Sequence, residues 1–89
     1  MKSDDVFKLL DIFEKECYIT SNNKLTRSFC ACCGTTHEKK WYKIVKTSVE
    51  SYFYYCVNTE KVRGYYIDYY RNDWSFEFET IYEFIRDLI

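Results

Sequence analysis

The sequence predicts a two-layer α+β domain, in which an N-terminal and a C-terminal helix cover one face of an antiparallel sheet of four to five strands joined as a meander. Three observations carry this prediction. Apolar residues recur at helical spacing near both ends, aromatic and β-branched residues fill the middle, and residues 74–79 alternate between apolar and polar. A length of 89 residues fits a single domain, 1–89.

Both predicted helices are amphipathic. The first begins at Ser3, an N-cap residue type followed by two acids in the first turn, and ends near Cys17. Its apolar residues have helical spacing: Val6, Leu9, Leu10 and Phe13. The last segment, from Thr80, repeats this spacing in Ile81, Phe84, Ile85 and Leu88. Each helix therefore has one apolar side to bury against the sheet.

The strands are predicted between these helices. A short strand over 26–32 follows turn-forming residues at 20–23. Residues 35–47 fit a helix, because Thr35 and Glu38 have capping-box spacing, and also a strand, because of their β-branched and aromatic content; we favour the strand. Three further strands are predicted from their density of Tyr, Phe, Val and Ile: 49–57, 63–70 and 74–79.

The faces of the last strands follow from an assumed two-residue hairpin turn at positions 72 and 73. In this register Tyr69 lies opposite Phe76 and Ile67 opposite Phe78, so the apolar side chains share the face beneath the helices. The other face is predicted to be open to solvent and rich in tyrosines and acids: Tyr52, Tyr54, Tyr66, Asp68, Tyr70, Ser75, Glu77 and Glu79.

Composition excludes several classes of function. Thirteen basic and 14 acidic residues give a net charge of −1, which provides no whole-chain attraction to nucleic acid or anionic membrane. One histidine and two glycines supply neither a phosphate-binding loop nor an evident catalytic set, so we expect no enzyme. The sequence shows neither a membrane-spanning apolar run nor a secretory leader, so we expect a cytoplasmic protein without membrane contact.

Cysteine spacing predicts a metal site. Five cysteines, an odd number, fit reduced thiols or a metal better than a secreted disulfide framework. Cys30 and Cys33 have the C-x-x-C spacing in which two thiolates reach one tetrahedral zinc, and Gly34 follows them. Residues 29–34 resemble a zinc knuckle, which implies a structural zinc.

No second motif completes this site, so His37 must combine with Cys56 or Cys17 across the fold. We expect no bound cofactor, with Cys30 or Cys32 simply a small buried residue of a strand. The alternative is a structural zinc, for which the predicted ligand set is Cys30, Cys33, His37 and Cys56.

The predicted tyrosine face favours protein binding, because tyrosine joins a large apolar ring to a polar tip at low conformational cost. Acids beside the tyrosines suit a basic partner, for example a host nucleic-acid-processing enzyme. Six contact residues are predicted: Tyr52, Tyr54, Tyr66, Asp68, Tyr70 and Glu77. The structural alternative is that a second layer or a second copy of the chain covers this face.

We therefore expect a small non-enzymatic inhibitor that occludes a functional surface of a host protein, as a monomer or a homodimer. In size and composition it resembles, in type only, the short inhibitors encoded by phages and other mobile elements, anti-CRISPR proteins among them. A phage-encoded inhibitor would act in the host cytoplasm. An immunity-type antagonist of a toxin fits the same features.

The other alternative is a zinc-stapled nucleic-acid-binding module. It would use the basic segment between Lys24 and Lys46, where lysines can neutralise phosphates and rings can stack on bases. Its expected contacts are Lys39, Lys40, Trp41 and Lys43. The acidic second half and a pI of 5.8 disfavour direct nucleic-acid binding.

Overall fold

The predicted meander is present as one five-stranded antiparallel sheet with a helix at each end. A computed structural model describes the backbone of residues 3–89 and the side chains of residues 3–21 and 25–89; Lys24, part of the predicted basic segment, lies outside the described side chains. The elements are α1 (Ser3–Lys15), β1 (Ile19–Cys30), β2 (Thr35–Ile44), β3 (Glu50–Tyr55), β4 (Val62–Ile67), β5 (Asp73–Phe78) and α2 (Ile81–Leu88). The sheet order is β1-β2-β3-β4-β5, which confirms the two-layer α+β prediction. Within the described residues, neither helix has the length and apolar character needed to cross a membrane.

Helix α1 ends in a Schellman motif built on a cysteine. Cys17 has φ 65°, in the left-handed region that glycine usually occupies. Its N–H donates to the carbonyl of Glu14 at 3.1 Å, and the N–H of Tyr18 donates to that of Phe13 at 3.0 Å. The Phe13 and Tyr18 rings also meet edge to face, with centroids 5.6 Å apart. The chain therefore leaves the helix at the predicted residue and enters β1 directly.

Strands β1 and β2 form a long hairpin. The prediction of a turn at 20–23 is wrong, because these residues lie inside β1, where the pairing shifts by two residues between Ser21 and Leu25. The turn-forming residues there belong to an irregularity in the ladder rather than to a reversal. The strand prediction for 35–47 is confirmed by β2.

The predicted register of β4 and β5 is wrong. Ile67 lies opposite Asp73 rather than Phe78, because the connection spans all the residues between Ile67 and Asp73 instead of two. A displacement by an odd number of residues exchanges the faces of one strand relative to its neighbour. Tyr66 consequently lies on the helix-covered face, and Tyr65 lies on the opposite one.

The longer β4–β5 loop is organised by Asp68. One of its carboxylate oxygens accepts the N–H groups of Tyr70 and Asn72, both at 2.9 Å. The other accepts the indole N–H of Trp74 at 3.0 Å. Arg71 takes φ 66°, which completes the reversal. These bonds stabilise a wide loop where the sequence pattern predicts a tight turn.

The main core lies between the helices and one face of the sheet. Phe53, in the central strand, stacks on Tyr42 with centroids 5.2 Å apart and meets Phe84 of α2 at 4.3 Å. Helix α2 begins at Thr80 as predicted, where the hydroxyl accepts the N–H of Glu83. The buried core comprises Val6, Leu10, Ile19, Tyr42, Phe53, Tyr55, Val62, Ile81, Phe84 and Leu88. We call the opposite side the outer face; it carries Trp41, Tyr52, Tyr54, Tyr65 and Glu77.

Candidate metal centre

Four potential metal ligands meet at one end of the outer face. Cys30 ends β1, Cys33 lies in the β1–β2 turn, His37 lies in β2, and Cys56 directly follows β3. Their ligand atoms all lie within 4.8 Å of one another. These are the four residues predicted from the sequence, so the structure confirms that they are positioned to bind a metal ion.

Strand pairing explains why residues distant in sequence converge. Cys30 lies opposite Thr35 across the hairpin, and His37 is two residues beyond Thr35 on the same face of β2. Strand β3 is the next neighbour of β2, and Cys56 stands two residues after Tyr54. The β1–β2 turn places Cys33 beside the other three ligands, at the same end of the outer face. The site therefore depends on two strand pairings as well as on the local C-x-x-C spacing.

The spacing of the ligand atoms fits a tetrahedral ion. Bonds of about 2.3 Å from zinc to sulfur place two thiolates about 3.8 Å apart in a tetrahedron. The Sγ atoms of Cys30 and Cys56 are 3.8 Å apart. The Nε2 atom of His37 lies 3.9 Å from Sγ of Cys56. A metal ion could therefore be coordinated with only small adjustments of the side chains.

The orientation of His37 leaves the correct nitrogen free for a metal. Its Nδ1 atom lies 2.9 Å from the backbone carbonyl of Glu38, which can only accept a hydrogen bond. In the neutral ring Nδ1 therefore carries the proton, and the lone pair of Nε2 faces Cys56. The same carbonyl, followed by Cys30, raises the pKa of His37.

The thiols of the site have different environments. Hydrogen bonds from the amide of Asn58 and from the hydroxyl of Thr35 lower the pKa of Cys33 to about 6. Burial raises the pKa of Cys56. Burial also acts against ionisation of Cys30, but the hydrogen bond with Tyr54 and further hydrogen bonds outweigh it, and the pKa of Cys30 is lowered. Ionisation to the thiolate, the form that binds metal, is therefore easier at Cys30 and Cys33 than in an ordinary cysteine.

A second, smaller core includes three of the four ligands, Cys30, Cys33 and Cys56. Cys30 and Cys56 are fully buried, and Tyr54 is 3% exposed beside them. The hydroxyl of Tyr54 lies 2.9 Å from Sγ of Cys30. Cys32 is not a member of the ligand set, because its thiol contacts the hydroxyl of Thr59 at 2.7 Å. Sequence reasoning placed Tyr54 on a partner surface and missed its contact with the metal ligands.

The six predicted partner-binding residues do not form one surface. Tyr52, Tyr54 and Glu77 share the outer face as predicted, but Tyr54 is buried. The placement of Tyr66 on that face is wrong, because the register reverses it. Asp68 and Tyr70 lie in the β4–β5 loop, where Tyr70 is 85% exposed. A role of these residues in partner binding stays a prediction.

The contact surface predicted for nucleic-acid binding is likewise divided between two faces. Strand alternation places Lys39, Trp41 and Lys43 on the outer face, whereas Lys40 lies on the helix side, with its Nζ atom 5.3 Å from the centroid of Tyr42. Lys39 is buried. Of the four predicted contacts, only Trp41 and Lys43 are therefore accessible on the outer face.

Three rings form an aromatic patch at the centre of the outer face. Tyr65 is 5.7 Å from Trp41 and 5.3 Å from Tyr52, measured between ring centroids. A cleft of about 450 Å³ borders the rings, and its polar lining comes from Thr20, Ser21, Thr26 and Lys43. We call Trp41, Tyr52 and Tyr65 the aromatic patch. Tyr65 was missed at the sequence level because the assumed register directed it toward the helices.

Comparisons with known proteins found no matching family model, no matching curated protein and no matching solved structure.

Proposed function

We propose that the protein is a zinc-stabilised, non-enzymatic protein-binding domain in which zinc has a structural role. One observation carries the proposal: four ligand atoms from β1, its following turn, β2 and the end of β3 lie within 4.8 Å of one another. Two buried cysteines and a correctly oriented imidazole are the donor types that zinc prefers.

The donor set supports a structural zinc rather than a catalytic one. Three cysteines and one histidine fill all four positions of a tetrahedron, so no position is left for water or substrate. A small domain also has reason to bind a metal, since a chain of this length buries a limited apolar core. The metal would join the β1–β2 turn to the residue after β3 on the outer face, the side of the sheet away from the helices.

Metal content of the purified protein tests this proposal. We expect one zinc per chain after dialysis, and we expect chelation to lower the melting temperature. Replacing Cys30, Cys33 or Cys56 by Ser, or His37 by Ala, is expected to abolish stoichiometric zinc. The matched controls are Cys17→Ser, at the exposed end of α1, and Cys32→Ser, adjacent to a ligand but outside the set. Both controls should retain zinc.

Two results would contradict the proposal. The first is a folded wild-type protein that contains no zinc after refolding with added zinc under reducing conditions. The second is loss of zinc in Cys17→Ser or Cys32→Ser to the same extent as in the ligand variants. The second result would assign the metal to a different set of cysteines.

For the binding role, the aromatic patch is the best-supported contact surface. Its rings lie on three adjacent strands and border an open cleft, as expected for rigid anchors of a protein interface. Burial, together with Tyr52, Asp73 and Glu50, raises the pKa of Tyr65. The charge around the rings is mixed, because Asp73 and Glu50 act on Tyr65 while Lys43 lines the cleft, and a mixed surface suits a protein partner better than a phosphate backbone.

Two measurements test the binding role. Titration with single-stranded DNA and RNA at low salt, followed by tryptophan fluorescence, should show no saturable binding; salt-dependent binding would favour the nucleic-acid module instead. A partner isolated from the native cell should be lost with Tyr52→Ala and Tyr65→Ala. It should be retained with Tyr82→Ala, an exposed tyrosine on α2. Equal retention by all three variants would exclude the patch. Inhibition of a host protein stays a prediction.

A further inference from the structure

Lys39 is a buried cation beside the metal centre. It is 5% exposed, although lysine is among the residues least often buried without a partner. Its Nζ atom donates a hydrogen bond to the carbonyl of Phe29 at 2.7 Å. Across the described parts of the chain, the ion pairs involve only Lys61 and Arg63 as cations, so no carboxylate pairs with Lys39.

The surroundings of Lys39 connect it to the ligands. Its Nζ atom lies 4.5 Å from the ring centroid of Tyr54, whose hydroxyl contacts Sγ of Cys30. Its hydrogen-bond acceptor, the Phe29 carbonyl, belongs to the residue directly before Cys30. Lys39 is therefore connected to Cys30 in two ways. Its ammonium lies over the ring of Tyr54, which contacts the Cys30 sulfur, and it is hydrogen-bonded to the peptide carbonyl just before Cys30.

Charge balance explains why a buried lysine would lie beside the metal centre. Three thiolates and one neutral imidazole around a divalent zinc leave one net negative charge at a site with two buried and two partly buried ligands. A buried charge without compensation is strongly unfavourable, and a buried lysine without a carboxylate is unfavourable for the same reason. Each of the two charges offsets part of the penalty of the other.

We propose that Lys39 is the charge-compensating residue of the metal centre, a positioning residue that strengthens zinc binding without coordinating the metal. This inference rests on the proposed zinc site. It distinguishes Lys39 from Lys43, which lies four residues further along β2 on the same face but is exposed to solvent.

The test is the zinc dissociation constant, measured by competition with a chromogenic chelator. Lys39→Gln keeps a hydrogen-bond donor for Phe29 but removes the charge, and we expect it to weaken zinc binding about 10- to 100-fold, the range seen when supporting groups of metal ligands are lost. Lys39→Arg keeps the charge and should remain closer to wild type than Lys39→Gln. Lys43→Gln, the matched control, should bind zinc like wild type.

A second measurement separates charge compensation from ordinary packing. Without zinc, Lys39→Met removes a buried charge, so its melting temperature should equal or exceed that of the metal-free wild type, while its zinc affinity falls. Equal zinc affinity in wild type, Lys39→Gln and Lys39→Met would overturn the inference. If neither neutral variant folds with zinc, folding of Lys39→Arg supports the inference and its failure overturns it. Absence of zinc from the wild type would instead overturn the proposed function.

Discussion

The hydroxyl of Tyr54 lies 2.9 Å from Sγ of Cys30, and both side chains are buried on the outer face of the sheet. Burial, followed by the contact with Cys30, raises the pKa of Tyr54, so its hydroxyl keeps its proton and can donate to a thiolate. Such a bond stabilises the ionised sulfur that a metal requires.

Tyr54→Phe is therefore expected to weaken zinc binding at least about tenfold, because the ring stays in place and only the donor is lost. Chelator competition measures this change. Tyr52→Phe, on the same strand and the same face, is the control and should bind zinc like wild type. Equal affinity of Tyr54→Phe and wild type would show that this hydrogen bond does not support the metal.

Tyr42 offers a stabilising substitution. Among the described residues, its hydroxyl is a buried polar group without a hydrogen-bond partner, and burial raises its pKa to about 12. Tyr42→Phe removes this unsatisfied group, so we expect the free energy of unfolding to rise by about 1 kcal/mol. Urea denaturation measures this change in the free energy of unfolding. The control Tyr55→Phe loses a hydrogen bond with Ser3 and should instead lower the free energy of unfolding. A loss of stability in Tyr42→Phe would indicate that the Tyr42 hydroxyl has a hydrogen-bond partner.

Gly64 is a position where no side chain fits. A Cβ atom there would lie 2.6 Å from Cζ of Phe76 and would also collide with the backbone carbonyl of Tyr52. Gly64→Ala should cost at least about 3 kcal/mol, the upper range for overpacking, because a backbone atom cannot move aside cheaply. Gly34→Ala has open space around its Cβ and only the strain of φ 74°, which costs about 1 kcal/mol. Equal stabilities of the two variants would contradict this packing.

The β4–β5 loop gives a pH-dependent prediction. Hydrogen bonds from Trp74 and then from the N–H of Asn72 lower the pKa of Asp68 below the ordinary value for an aspartate. A lowered pKa in the folded state contributes stability above the unfolded pKa, and this contribution disappears as pH falls through the folded pKa. Wild type should therefore melt above Asp68→Asn at about pH 6, with the difference shrinking toward about pH 2.

Both proteins have the same cysteines, so acid release of the proposed metal would affect their melting temperatures alike. Asp73→Asn, at the start of β5, is the control for removal of a carboxylate beside this loop. A difference for Asp68→Asn that stays constant with pH would show that the Asp68 carboxylate does not stabilise the loop.

The metal ligands could be predicted from sequence because their chemistry restricts them. Cys30 and Cys33 have a local spacing that two thiolates need, and His37 was the only histidine available. The spacing left Cys56 and Cys17 open as the fourth ligand. The structure favours Cys56, because β3 lies beside the β1–β2 hairpin.

The surface residues could not be predicted in the same way. Their faces depend on the length of the β4–β5 loop, and that length depends on hydrogen bonds of Asp68 that no periodicity reveals. An error of an odd number of residues exchanged Tyr65 and Tyr66 between the faces. The burial of Lys39 was hidden for a related reason, because a lysine in an alternating strand is expected to extend into water.

The convergence of Cys30 and Cys56, 26 residues apart, also sets the order of events during synthesis. A ribosome releases Cys30, Cys33 and His37 together, but the last ligand emerges only after β3 has been translated. Until then a nascent chain can hold zinc only through an incomplete site. If zinc binds as proposed, the complete site forms only once β3 has been made, and binding of the metal is then coupled to the pairing of β3 with the first hairpin.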